Sequence, residues 1–176
     1  MARWCLDEVV ARSRDLKRPI PIPHACLIVM KLCHAQKQGS VMINHAGDVA
    51  VVGPHMDVFG LGVVLYELLT GEKPLVSAVE ERAWRLGWLT MPPQSELSSR
   101  VPLALEAIVL RALERNPAKR YPNIDDLHAA LERFVANAGA VCSRTALRDW
   151  LAELYPECSS VVEWIADDTE KITVAC

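Results

Sequence analysis

The chain has 176 residues, 51% of them hydrophobic and 23% charged, which suits one ordinary domain with a buried core and excludes a disordered chain. Nineteen Lys and Arg against twenty-two Asp and Glu leave a net charge of −3, which excludes nucleic-acid binding by bulk charge. The longest apolar runs, such as ACLIVM at 25–30, fall far short of the ~18 residues of a membrane span.

Asp7 and Glu8 interrupt the first apolar stretch, so no secretory segment is read there and the expected location is the cytoplasm. The six cysteines (Cys5, Cys26, Cys33, Cys142, Cys158 and Cys176) form no C-x-x-C pair and are expected as reduced, mostly buried thiols.

Residues 5–15 are expected as a short amphipathic helix with Leu6, Val9 and Val10 on one side. The stretch KRPIPIP at 17–23 breaks it, because prolines remove backbone donors. A second helix is expected over 24–38, with Ala25, Ile28, Val29 and Leu32 at helical spacing and Gly39 as its stop. The period then changes. Val41–Ile43 and Val49–Val52 are β-type runs around the turn residues NHAGD, so a two-stranded hairpin is expected over 41–52.

Residues 57–70 are apolar on nearly every side, which places that helix at the centre of a domain, with Asp57 as its cap and Gly71 as its end. Gly60 and Gly62 each cost about 1 kcal/mol of helix propensity, which points to close approach by another segment. Residues 76–90 are expected as a Trp-bearing helix ended by Met91-Pro92-Pro93. An amphipathic helix follows over 103–115, built on Leu105, Ile108, Val109, Ala112 and Leu113. Asn123 caps another to about residue 135, with Ile124, Leu127, Leu131 and Phe134 inward. Ser143 caps the last, with Leu147, Trp150, Leu151 and Leu154 on one face. The domain boundary is expected within 136–141, and the tail from Glu157 is left unassigned.

Two of these segments carry a resemblance. DVFGLGVVLYELLTG at 57–71 resembles the central buried helix of the C-terminal lobe of bacterial, eukaryote-like serine/threonine protein kinases, written D-V-x-x-L-G-x-x-L-Y-E-L-L-T-G. ALERNPAKRYP at 112–122 resembles that family's A-L-x-x-x-P-x-x-R-Y-P, and Asp125, Asp126, Leu127, Leu131 and Glu132 resemble its last helix. HAQKQG at 34–39 resembles its A-H-x-x-G region. The implied fold is mainly α: a kinase-like C-terminal lobe, helices bundled around residues 57–70, with the hairpin at 41–52. Residues 1–138 would be the partial lobe and 139–176 a helical extension and tail.

The resemblance also implies what is missing. The family's Gly-rich loop and strand lysine belong to an N-terminal lobe that is expected to be absent. The catalytic loop H-R-D-x-x-x-x-N should follow residue 39, yet Gly39-Ser40 runs almost directly into Val41-Met42-Ile43. Ser40 stands where a metal-binding Asn is expected. Gly53-Pro54-His55-Met56 stands in place of D-F-G, and the A-P-E segment is gone. Asp48 lies before the second hairpin run and cannot substitute for the metal-binding Asp.

Phosphoryl transfer depends on neutralising and aligning those groups, each typically carrying several kcal/mol of barrier lowering. The expectation is therefore a noncatalytic, pseudokinase-like fragment with no catalytic, cofactor or metal residues, although the intact family uses ATP and Mg. Its partners would be proteins, with no nucleic acid or membrane. The alternative is part of an active serine/threonine kinase completed by another chain or a misassigned gene start. Asp57 and Arg120 lose their family partners, the catalytic loop and the Glu of A-P-E. Asp57 is expected to act as a plain helix cap, and Arg120 must find another acid or face water.

Other chemistry yields to plainer readings. Cys26 and Cys33 share a helix face but lie about 10.5 Å apart, too far to join His24 and His34 around one zinc. His45 and His55 are expected solvated, and a Ser40/His45/Asp48 triad lacks any oxyanion-forming motif. Arg111, Arg115, Lys119 and Arg120, interleaved with Glu106 and Glu114, read as a solvated helix face. Trp84 and Trp88, one helical turn apart, are either core or an exposed contact patch.

Overall fold

The computed structural model describes residues 3–35, 40–44, 49–52, 57–74, 97, 101–139 and 143–156. In chain order these form strand β1 (Arg3–Cys5), helices α1 (Leu6–Asp15) and α2 (Ile22–Ala35), and strands β2 (Ser40–Asn44) and β3 (Val49–Val52). Helices α3 (Val58–Thr70), α4 (Leu103–Ala112), α5 (Ile124–Asn137) and α6 (Arg144–Leu154) follow, with a 3-10 turn at Pro117–Lys119. The protein is mainly helical, as its periodicity implies.

Helix α3 is the buried element. Its side chains from Val64 to Thr70 are all buried, and α2 and α4 both pack on it. Helix α5 packs on α2 and α4, and β3 lies against α2. Gly62 explains the approach of α4: a Cβ there would sit 2.9 Å from the Ala112 Cβ. Asp57 caps α3 by accepting the Gly60 N–H at 2.8 Å. Gly71 ends the helix at φ 79°, a left-handed conformation that glycine adopts without strain.

The hairpin of β2 and β3 forms in antiparallel register, Ser40 opposite Val52 and Ile43 opposite Val49. It is not the whole sheet. Residue 5 does not open α1. Instead Arg3–Cys5 pairs antiparallel with β2, Trp4 opposite Ile43, so the sheet has three strands in the order β1-β2-β3. Cys5 is extended and its N–H donates to the Glu8 side chain at 2.8 Å, which starts the helix one residue later.

Other helix ends shift for local reasons. Helix α2 begins at Ile22, earlier than expected, because Pro23 falls in its first turn, where a missing N–H leaves no bond unmade. Helix α4 stops at Ala112, short of Arg115, and Asn116 before Pro117 is extended and caps the 3-10 turn instead. Asn123 and Ser143 cap α5 and α6 by accepting the N–H groups of Asp126 (2.8 Å) and Ala146 (3.0 Å).

Leu147, Leu151 and Leu154 of α6 join the same hydrophobic core as α3. Cys26 and Cys33 are buried in α2, and burial pushes the Cys33 thiol up to about 12, the behaviour of inert core sulfur. The helix expected at 76–90, with Trp84 and Trp88, lies outside the described residues. So do His45, Asp48, residues 53–56 and the tail from 157.

Candidate functional site

In the resembled lobe, chemistry gathers where the second hairpin strand leads into the central helix. Here that junction is the end of β3 and the N-terminus of α3. Asp57 stands at it, and both of its oxygens have work there. Oδ1 accepts the Gly60 N–H, and Oδ2 lies 4.0 Å from Arg120 Nη1. The two residues that lose their family partners thus face each other.

Asp57 is mostly exposed, so screening makes this pair a weak one. Arg120 is held by other means. Its side chain is 10% exposed. Nε donates to the Glu114 carbonyl at 2.6 Å and Nη2 to the Arg115 carbonyl at 3.4 Å, and the guanidinium lies 4.9 Å above the centre of the Phe59 ring. Backbone carbonyls and an aromatic face therefore solvate the cation, the arrangement a buried guanidinium needs. Asp57 is a cap, as expected, with Arg120 as a second neighbour.

Asp57, the cap of α3, is turned to its own helix N-terminus and to Arg120. Among the described residues no group of three or more His, Cys, Asp or Glu side chains converges as a metal cage. The expected basic face also divides. Arg111, Arg115 and Lys119 are exposed, with Arg111 4.4 Å over the Tyr121 ring, but Glu106 is buried and Arg120 turns inward. The alternation of charge along α4 does not survive because Glu106 faces the core side of that helix.

A second polar cluster was not visible in the sequence. Glu67, buried within α3, lies 4.0 Å from Lys73 Nζ, which in turn is 3.0 Å from Asp7 of α1. Burial, only partly offset by Lys73, raises the Glu67 carboxyl above its ordinary value. The signal available in sequence was one carboxylate inside an otherwise apolar helix.

A cavity of about 600 Å³ opens beside the C-terminal end of α3, among Val10, Ile20, Leu68, Leu69 and Val101, with the exposed cations Arg14 and Lys17 on its lining. The 13 residues of α3 separate it from the β3 junction by about 20 Å at 1.5 Å per residue. The His24 ring lies 5.9 Å from that of Trp150.

A mainly helical chain with a buried D-V…T-G helix and an R-Y-P segment packed around it defines a kinase-related protein. The particular likeness is to bacterial serine/threonine kinases. The chain is 38% identical over 84 residues to serine/threonine-protein kinase PknB of Mycobacterium leprae, a match covering 47% of this chain and 13% of that kinase. It is 36% identical over 101 residues to serine/threonine-protein kinase Pkn1 of Myxococcus xanthus, covering 56% and 14%. Serine/threonine-protein kinase A of Synechocystis is 32% identical over 89 residues, covering 48% and 16%. The chain thus spans a small part of the curated relatives it matches, an extent that suits a piece of a C-terminal lobe. No protein-family profile matches it. Among the described residues, no helix is long and apolar enough to cross a membrane.

Proposed function

We propose that this chain is a noncatalytic, pseudokinase-like relative of bacterial serine/threonine kinases, resident in the cytoplasm, whose role is to bind a protein. One observation carries the reading. Between residues 39 and 57 the sequence has neither H-R-D-x-x-x-x-N nor D-F-G, so the base and both metal-holding side chains are missing from within the chain. The Asp57–Arg120 contact supports it, because each takes up a neighbour that catalytic segments provide in the resembled family. The lobe and its extension then act as a scaffold, with no use for ATP or Mg.

Thermal unfolding with and without ATP·Mg tests this. A ligand present at 100 times its Kd adds about 2.7 kcal/mol. In a domain of this size that is roughly 5–10 °C. No shift at millimolar ATP·Mg is the expected result, and a clear upward shift overturns the reading.

A second reading is favoured by the names of the relatives, which are kinases, and by the small share of them that the chain spans. Under it the chain is one part of an active kinase transferring phosphoryl from ATP to protein Ser or Thr. Co-expression with the upstream reading frame, followed by a phosphorylation assay, separates the two. The missing internal loop argues against activity even then.

A further inference from the structure

Helix α6 is attached to its neighbours in an unusual way. Its apolar stripe, Leu147, Leu151 and Leu154, has no exposed surface, while Arg148, Asp149, Ala152 and Glu153 face solvent. A helix leaves its last carbonyls without intrahelical donors, and its C-terminus favours a cation. The last turn of α6 carries no basic residue. The donors come from the opposite end of the chain. Arg12 Nε donates to the Leu154 carbonyl at 3.2 Å, and Arg18 Nη1 to the Glu153 carbonyl at 3.2 Å.

Arg18 also pairs with the Glu153 carboxylate at 3.2 Å. Just beyond the helix, Tyr155 stacks on Trp4 of β1, ring centres 4.2 Å apart and planes 15° from parallel, with the Arg12 guanidinium 5.0 Å above it. An amphipathic helix laid in an apolar groove, with its end read by fixed donors, is a recurring mode of peptide recognition.

The fit has one flaw. Both ring nitrogens of His24, in the first turn of α2 beside Trp150, are buried with no hydrogen-bond partner among the described residues. Trp150 of α6 lies beside that ring, so a seated α6 adds cover to an imidazole that gains no hydrogen bond among the described residues in return. Helix α5 ends at Asn137, and Gly139 beyond it takes φ 59°, a left-handed conformation that glycine adopts without strain.

We propose that β1, α1 and the start of α2 form a helix-docking site occupied by the chain's own α6, and that α6 leaves and returns as a unit. This goes beyond the noncatalytic reading and stands whether or not the chain handles ATP. The occupant is a short amphipathic helix, apolar at i, i+4 and i+7, ending in Leu-Tyr with open carbonyls. A second copy of α6 supplied in trans has the same chemistry.

The test uses the full chain with a site-specific protease sequence inserted after Gly139. After cleavage of the folded protein, size-exclusion chromatography and native mass spectrometry follow the C-terminal fragment. It is expected to remain bound and to be displaced by excess synthetic peptide of residues 143–156. Arg12→Gln with Arg18→Gln should speed exchange about tenfold, the scale of a lost helix-terminus cation. The exposed Arg18→Gln alone should speed it less, and serves if the double variant does not fold by circular dichroism. His24→Leu should slow exchange. A fragment that falls away from the unmodified chain without peptide overturns the proposal. So does one that never exchanges, or exchange indifferent to Arg18→Gln, or faster release from His24→Leu.

Discussion

Arg120 and Glu67 illustrate two ways a charge enters this interior. Arg120 keeps its charge because carbonyl oxygens and the Phe59 ring replace water around it. Glu67 has less help: Lys73 stands 4.0 Å away and is itself drawn to Asp7 at 3.0 Å. Its carboxyl is therefore raised from the ordinary 4.5, chiefly by burial. The folded protein holds that proton more firmly than the unfolded chain, so the associated stability is complete below pH 4.5 and is lost as pH rises through the raised value. Glu67→Gln copies the protonated form at every pH. The variant and the parent should have equal urea midpoints near pH 4, and the variant should move ahead as pH rises toward neutrality. A variant that instead falls behind would mean that Lys73 contributes more than burial costs. Residues 57 and 120 were each readable as orphans from the motifs. That they meet was not readable, since 63 positions separate them in sequence and only packing of the 112–122 segment on α3 joins them.

The elements most legible in sequence are those whose ends carry their own chemistry. Asp57, Asn123 and Ser143 each place an oxygen on the N–H three residues ahead, and Gly71 supplies the left-handed stop, so α3, α5 and the start of α6 follow from local rules. Strand β1 has no such signature. Three residues, Arg-Trp-Cys, become a strand only because β2 offers them a partner some forty positions away, and pairing of that kind is invisible to periodicity. The same holds for the end of α6, whose capping donors are 135 and 142 residues distant. Gly62 lies between these cases: its helix cost announced close packing, and the packing partner proved to be Ala112. Gly62→Ala should gain helix propensity and still destabilise the protein. The new methyl would meet the Ala112 Cβ at 2.9 Å within a backbone-lined contact that cannot simply rotate away. Overpacking of this sort costs about 1–3 kcal/mol. Urea unfolding should show a lower midpoint with an unchanged slope.

At the scale of the molecule, stability should be graded outward from α3. That helix is buried on nearly every side and contacted by both α2 and α4, so its amides can be exposed only when the core itself opens. Helix α6 is held by one apolar stripe, two cationic caps and a ring stack, and it lies beside His24, whose ring nitrogens have no hydrogen-bond partner among the described residues. Its opening exposes far less surface than global unfolding. Hydrogen exchange followed by mass spectrometry should therefore find the amides of 58–70 slowest, with exchange that accelerates steeply in low urea. Those of 144–154 should exchange faster and respond weakly to urea, because a small opening has a small dependence on denaturant. Equal protection and equal urea dependence in the two helices would mean that α6 is inseparable from the core, and that the two ends of the described chain unfold only together with its centre.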